Sequence, residues 1–248
     1  MRKLFKLAFT LAEVLIVIGI LGIVAEMTIP TLISSTDKQV ETTQLKKFYS
    51  VFAEGMKTYM ANEGCNDLAC TGLFEGKRQD ATWEAKVDAD IRKTFKIVKS
   101  CDSYTTGCNK PLVSLSKAPA TDSFYYGHSF ITADGFLFMI YDTQSSNCQN
   151  NIVADPSAKL SGNCGTVYVD INGPKRPDTW GRDIFNFYIA NDGSIFPNSG
   201  AEVAKLGGTL WSTNPADCGS PGSSSIPAVA SGGGCSARIM EEAWKMNY

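Results

Sequence analysis

The sequence predicts an α+β protein: a long N-terminal helix packed on a small antiparallel sheet whose loops are closed by disulfides. Three observations carry this expectation. An almost unbroken apolar run follows Phe9-Thr10-Leu11-Ala12-Glu13 and leads to Ala25. Beyond it Leu45, Phe48, Tyr49, Phe52, Met56, Tyr59 and Met60 recur at spacings of three and four, the period of a helix with one buried face. Later segments alternate apolar and polar residues around Asp-Gly turns, and eight cysteines are spread through them.

Taken in order, no strong breaker lies between Pro30 and Gly64 apart from the tolerable Gly55, so one helix is expected from about Phe9 to about Asn62, kinked at Pro30. At 1.5 Å per residue it would be roughly 80 Å long. Its first part, 9–33, is long enough to cross about 30 Å of hydrocarbon. Its second part would turn an apolar stripe toward a globular domain. Trp83, Val87, Ile91 and Phe95, four apart, predict a second helix over about 81–98. Strands are expected at Ser123–Thr132 and Gly135–Tyr141, joined through Ala133-Asp134-Gly135, and at Gly165–Ile171 and Ile184–Ala190. Asn191-Asp192-Gly193 then turns the chain into 194–197, which gives four or five strands in all. Gly219–Gly234 has no core-forming content and reads as a loop. Ala237–Met246 reads as a last short helix, with Trp244 and Tyr248 available to dock that end on the body.

The cysteines fall in neighbouring pairs: Cys65/Cys70, Cys101/Cys108, Cys148/Cys164 and Cys218/Cys235. Each pair brackets a polar loop containing Gly or Asn, which favours sequential pairing among the 105 connectivities that eight cysteines allow. Zinc is the rival reading. No Cys-x-x-Cys is present and His128 is the only histidine, so the usual zinc ligand sets are missing. Disulfides place the chain in an oxidising compartment.

The formal charge is −2, from 23 basic and 25 acidic residues. This argues against a general phosphate-binding surface. Lys93, Lys96, Lys99, Lys175 and Arg176 are the modest basic candidates. No enzyme is indicated: a His-based triad would need His128, which reads as a strand-surface residue, and there is no nucleophile elbow or phosphate-cradling glycine motif. One stretch, 170–183, gathers Asp170, Asn172, Asp178 and Asp183 with stiffening prolines between two strands. Hard oxygen ligands of this kind suit calcium. The alternative is a turn-rich loop in which these side chains cap backbone groups.

Glu13 is unusual in a segment otherwise built for lipid, since a charge at the centre of a membrane helix costs roughly 2.5–3.5 kcal/mol. Arg2, Lys3 and Lys6 precede the segment and would stay on the cytoplasmic side. With its leader, the stretch FTLAEVLIVIGILGIVAEMTIP resembles the class III signal of type IV pilins and type II secretion pseudopilins. The resemblance is close over about residues 1–35 and looser beyond. It implies that a prepilin peptidase cuts between Ala8 and Phe9 and that the new terminus is methylated, making Glu13 the fifth residue of the mature chain. Gly22 and Pro30 fall where that family has a helix-loosening glycine and a kinking proline. Two residues depart from the pattern: Ala8 replaces the commoner Gly, and Ala12 replaces a larger aliphatic.

The implied organisation is a leader at 1–8, a membrane or filament-core helix at 9–33, and a periplasmic or surface domain at 34–248. The implied role is that of a structural subunit of a secretion pseudopilus or a pilus. It would be anchored in the bacterial inner membrane by a single pass and partnered by the peptidase and by other subunits. Such a subunit requires no cofactor, small-molecule substrate or nucleic acid, although related major pseudopilins bind calcium in a C-terminal loop. A chain this size leans toward a pseudopilin or minor subunit. The other readings are a competence-type minor pilin that binds DNA, and a secreted or membrane-anchored disulfide-rich binding protein. An ordinary secretory signal would be cut after Ala25, but Ile23 stands where a small residue is wanted. A plain uncleaved anchor would keep Met1.

A cut before the apolar segment requires a small residue at position 8. Ala8→Gly should be processed like the native chain and Ala8→Glu should accumulate unprocessed, as read by the mass of the membrane-extracted protein. Efficient cleavage of the Glu variant would exclude this kind of signal.

Overall fold

The computed structural model describes residues 10–76, 80–102, 108, 112–117, 119–120, 128–142, 147–149, 157–173, 178–198, 218–219 and 232–248. The chain forms two compact units, residues 1–40 and 41–248. A single helix, α1 (Leu11–Asn62), runs through both.

Within the first unit α1 is long and apolar enough to cross a membrane. Leu15, Ile16, Ile18, Ile20, Leu21 and Ile23 are each more than half exposed, so no protein covers this stretch. Its hydroxyls are satisfied inside the helix: Thr28 donates to the Val24 carbonyl, and Ser35 and Thr36 both donate to that of Leu32. Pro30 lies within the helix, which continues past it although proline cannot donate to the carbonyl four residues back.

In the second unit the stripe of α1 is the core of an α+β fold. Leu45, Phe48, Phe52, Met56 and Tyr59 are buried against a six-stranded antiparallel sheet. The strands are β1 (Ile97–Cys101), β4 (His128–Thr132), β5 (Leu137–Asp142), β6 (Asn163–Asp170), β7 (Ile184–Ala190) and β8 (Ile195–Pro197), in that spatial order. A separate small ladder pairs β2 (Leu112–Val113) with β3 (Pro119–Ala120). Register sets the faces: Phe130 lies opposite Phe138, Phe138 opposite Val169, Val169 opposite Phe185 and Val167 opposite Phe187. These residues alternate onto the α1 side. Leu137, Ile184, Tyr188 and Ala190 on the other face are buried too, in smaller clusters with Leu112, Trp180 and Leu160.

The centre of the core is aromatic. Phe52 has the rings of Phe48, Phe95 and Phe138 at 5.4, 5.6 and 5.6 Å. Gly55 is explained here. A Cβ at that position would stand 2.2 Å from the tip of the Phe95 ring. The glycine costs the helix about 1 kcal/mol of propensity and lets Phe95 reach α1.

Several expected boundaries are corrected. The second long helix, α3 (Ala81–Thr94), ends earlier than the expected 98: Asp80 caps its start, Phe95 is extended, and the chain enters β1. A four-residue helix, α2 (Leu68–Thr71), capped by Asp67, precedes it. The sheet has six strands, not four or five, because β1 joins its edge. The final helix, α4 (Cys235–Glu241), begins two residues before the expected start and stops five before the expected end. Trp244 packs edge-on against Tyr49 at 5.4 Å, and the hydroxyl of buried Tyr248 donates to the Gly181 carbonyl. Residues 123–127 of one expected strand and 220–231 of the expected loop lie outside the described residues.

Four disulfides join Cys65–Cys70, Cys101–Cys108, Cys148–Cys164 and Cys218–Cys235, leaving no free cysteine. They fasten the loop after α1, the end of β1, the start of β6 and the start of α4. Opening Cys148–Cys164, with both residues changed to Ser, should cost about 3 kcal/mol by releasing the unfolded chain. Phe52→Ala should cost about 3–5 kcal/mol through the cavity it leaves. Urea denaturation checks both, and a loss below 1 kcal/mol for Phe52→Ala would mean that this ring is not central to the core.

Candidate functional site

The start of α1 carries a reciprocal cap. Glu13 Oε2 accepts from the Thr10 backbone N–H and from the Thr10 hydroxyl, both at 2.8 Å, while Thr10 Oγ1 accepts from the Glu13 N–H at 3.2 Å. Thr10-x-x-Glu13 is thus a capping box, in which the N-cap hydroxyl and the carboxylate three residues on each satisfy a helix-start donor. The motif is legible in the sequence as Thr10-x-x-Glu13 ahead of an apolar run. Ala8 and Phe9, the expected processing pair, lie outside the described residues. Gly22 sits in α1 with open space around it.

The structure brings together all four expected calcium ligands. Asp170 ends β6, Asp178 precedes the residues that bridge to β2, and Asp183 stands just before β7; all three are buried. Asp170 Oδ1 accepts from the N–H groups of Asn172 and Gly173 at 3.1 and 3.0 Å. Asp183 accepts from the Thr179 N–H and, at 3.0 Å, from the Asn172 amide. These are the turn caps of the alternative reading, and Asn172 Oδ1 is left buried without a hydrogen-bond partner. Gly173 has φ +65°, and a Cβ there would meet the Gly135 carbonyl oxygen at 2.1 Å, so the turn requires glycine.

Concentrating carboxylates in this way perturbs them. Burial, followed by the charges of Asp183 and Asp178, pushes Asp170 up to about 8. Burial also pushes Asp183 up to about 7, with Asp178 and Glu41 adding to the effect and the Thr179 N–H opposing it. Arg182 at the edge of the cluster reaches Glu41 at 3.2 Å.

Two other expectations meet the structure here. His128 is not a strand-surface residue: it is 2% exposed, under α3. Its burial follows from the packing of α3, which alternation within one strand cannot reveal. Lys93, one of the basic candidates, is held by Glu63 and Asp90 at 2.8 and 2.9 Å. Lys175 and Arg176 lie outside the described residues. Compared with protein-family models, with curated proteins and with solved structures, the chain matches none of them.

The acidic cluster sets a pH dependence. Folding raises both carboxyl pKa values above the ordinary 3.8, so the folded state binds protons that the unfolded state releases. The stability they leave intact below about pH 4 is lost as pH rises through about 7 to 8. In chelator, the thermal midpoint should therefore fall between about pH 5 and pH 9, and Asp170→Asn should flatten that fall. An unchanged slope in the variant would remove Asp170 as a cause.

Proposed function

We propose that the chain is a pilin-like structural subunit of a type II secretion pseudopilus or a type IV pilus, cut before Phe9 and assembled through its N-terminal helix. The carrying observation is a helix whose apolar surface is exposed from Leu11 to Ile33, with a carboxylate at its first turn. Such a surface needs hydrocarbon or other helices around it, and a filament core of like helices supplies the second. Four disulfides favour an oxidising compartment for the 41–248 unit, which on this reading is the periplasm. The partners are the prepilin peptidase, the membrane and other subunits.

The role requires no cofactor. Calcium is the ion that the 170–183 set would hold, through the carboxylates of Asp170, Asp178 and Asp183 and the orphaned Asn172 Oδ1. It would offset the mutual repulsion of the carboxylates and fix the β6–β7 connection.

Glu13 acts in register. There is no Lys or Arg between Phe9 and Asp37, so the nearest cation for a Glu13 buried among helices is the amino group that cleavage creates on Phe9. In the filament the carboxylate meets that amine on an adjacent subunit. Removing one partner of a buried pair costs roughly 3–5 kcal/mol.

The capping box makes the test sharper. Glu13→Gln keeps an acceptor for the Thr10 donors and removes the charge, whereas Glu13→Ala removes both. Both variants should insert, be processed and form their disulfides, and both should be depleted from sheared filaments. If Glu13→Gln enters filaments as the native chain does, Glu13 is a helix cap and the register role is wrong.

A further inference from the structure

Away from the helix start and the acidic loop, a second polar site is built around the only histidine. Helix α3 places Glu84 and Asp88 four residues apart, hence on one face. Strands β1 and β4 pair with Cys101 opposite Ser129, so the next residues outward, Asp102 and His128, meet at one end of the sheet. The Cys101–Cys108 bond fastens the chain beside Asp102. The imidazole packs on Phe130, with ring centroids 4.8 Å apart, and is 2% exposed.

The partners of the ring determine its tautomer. Nε2 lies 3.2 Å from Asp88 Oδ1, and the other Asp88 oxygen takes the Arg92 guanidinium at 2.7 Å. The guanidinium is held in place by a second bond to the Ser100 hydroxyl at 2.7 Å, so Asp88 stands as the carboxylate of an ion pair. An ionised carboxylate only accepts, so Nε2 carries the hydrogen and Nδ1 is turned the other way. That Nδ1 is buried and has no hydrogen-bond partner. It faces Glu84 Oε2 at 3.8 Å and Asp102 Oδ1 at 3.7 Å.

These distances are too long for a hydrogen bond from a protonated Nδ1. They are close to the spacing of ligands around a metal. The ligand atoms of Glu84, Asp102 and His128 all lie within 4.8 Å of one another. Tetrahedral bonds of about 2.0–2.2 Å would set ligand atoms roughly 3.3–3.6 Å apart. One imidazole nitrogen with two carboxylates suits a borderline cation better than calcium, which takes six to eight oxygens.

We propose that Glu84, Asp102 and His128 Nδ1 bind a divalent cation of the zinc class, with Asp88 as the positioning residue that orients the ring from the opposite nitrogen. This is the carboxylate–histidine–metal arrangement, in which the outer carboxylate fixes the tautomer and raises ligand basicity. Three protein ligands leave a fourth position, and it opens on the side of Asp102, whose side chain is 74% exposed. The bound ion would cross-link α3 to the edge of the sheet. The proposal is independent of the filament reading, since it uses only residues of the 41–248 unit.

The test uses the full-length chain in detergent, purified without a histidine tag, stripped with chelator and dialysed. Zinc alone is titrated by calorimetry, and bound metal is counted by elemental analysis. One equivalent should bind, with affinity reduced at least about tenfold by Asp102→Asn or Glu84→Gln and roughly 10–100-fold by Asp88→Asn. Asp102 is exposed enough that its variant should fold normally, which circular dichroism and a zero thiol count confirm. Because His128 is the only histidine, imidazole-labelled protein reports one ring, and zinc should shift its Nδ1 resonance while Nε2 keeps its proton. Sub-stoichiometric zinc, affinity unchanged in both ligand variants, or a ring protonated on both nitrogens at neutral pH with zinc present would each overturn the proposal.

Discussion

One helix must be covered in two different ways, and most of the molecule follows from that. Leu11–Asn62 is a continuous α-helix, so apart from the carbonyl that Pro30 cannot serve, the backbone groups inside it are satisfied internally. Its side chains are not uniform. Up to Ile33 they are mostly apolar and exposed, a surface that water tolerates poorly. From Leu45 onward a single stripe is apolar, and the antiparallel sheet covers it. Under the proposed function the first part is covered by lipid before assembly and by neighbouring helices afterwards, and Glu13 is the group that distinguishes the two environments.

The 41–248 unit shows how a modest sheet holds such a helix. Aromatic rings from α1, the turn after α3 and strands β4 and β5 meet around Phe52, and Gly55 allows one of them to approach the helix axis. Disulfides fasten the connections around it, and Cys148, Cys164, Cys218 and Cys235 are themselves buried in this core. Two polar clusters lie at opposite ends of the design logic. In the 170–183 loop the carboxylates cap turns and repel one another. At His128 the acceptors converge on one point while a third carboxylate, Asp88, fixes the ring from behind.

Much of this was legible in the sequence because it rests on local periodicity. The three-and-four spacing of Leu45 to Met60 marks the buried stripe, Asp-Gly marks the β4–β5 turn, and GTVYVDI and IFNFYIA alternate as the central strands do. Neighbouring cysteines in loop-rich segments are joined as their spacing suggests. What was not legible depends on contacts distant in sequence. Ile97 and Val98 fall at the end of the expected helix and instead open β1, as Phe95 leaves the helix to pack on Phe52 and Phe138. His128 reads as a surface residue until α3 lies over it, and Asp102 joins it only through the β1–β4 register. The spacing of Glu84 and Asp88 on one helix face was the available signal, but nothing local tied it to a histidine 40 residues on. The capping box at Thr10 and Glu13 was readable from four residues alone.

The central claim is that the apolar helix is retained and begins a mature chain at Phe9. It is tested most directly by the N-terminal sequence and intact mass of the protein extracted from membranes of cells with an active prepilin peptidase. The mature protein should start at N-methylated Phe9, lighter than the full chain by residues 1–8 and the hydrogens of four disulfides and heavier by one CH2, the net gain of replacing a hydrogen with a methyl group. A chain starting at Glu26 would show that the apolar segment is a discarded secretory signal, and one starting at Met1 would show a plain anchor. Either result would contradict the account.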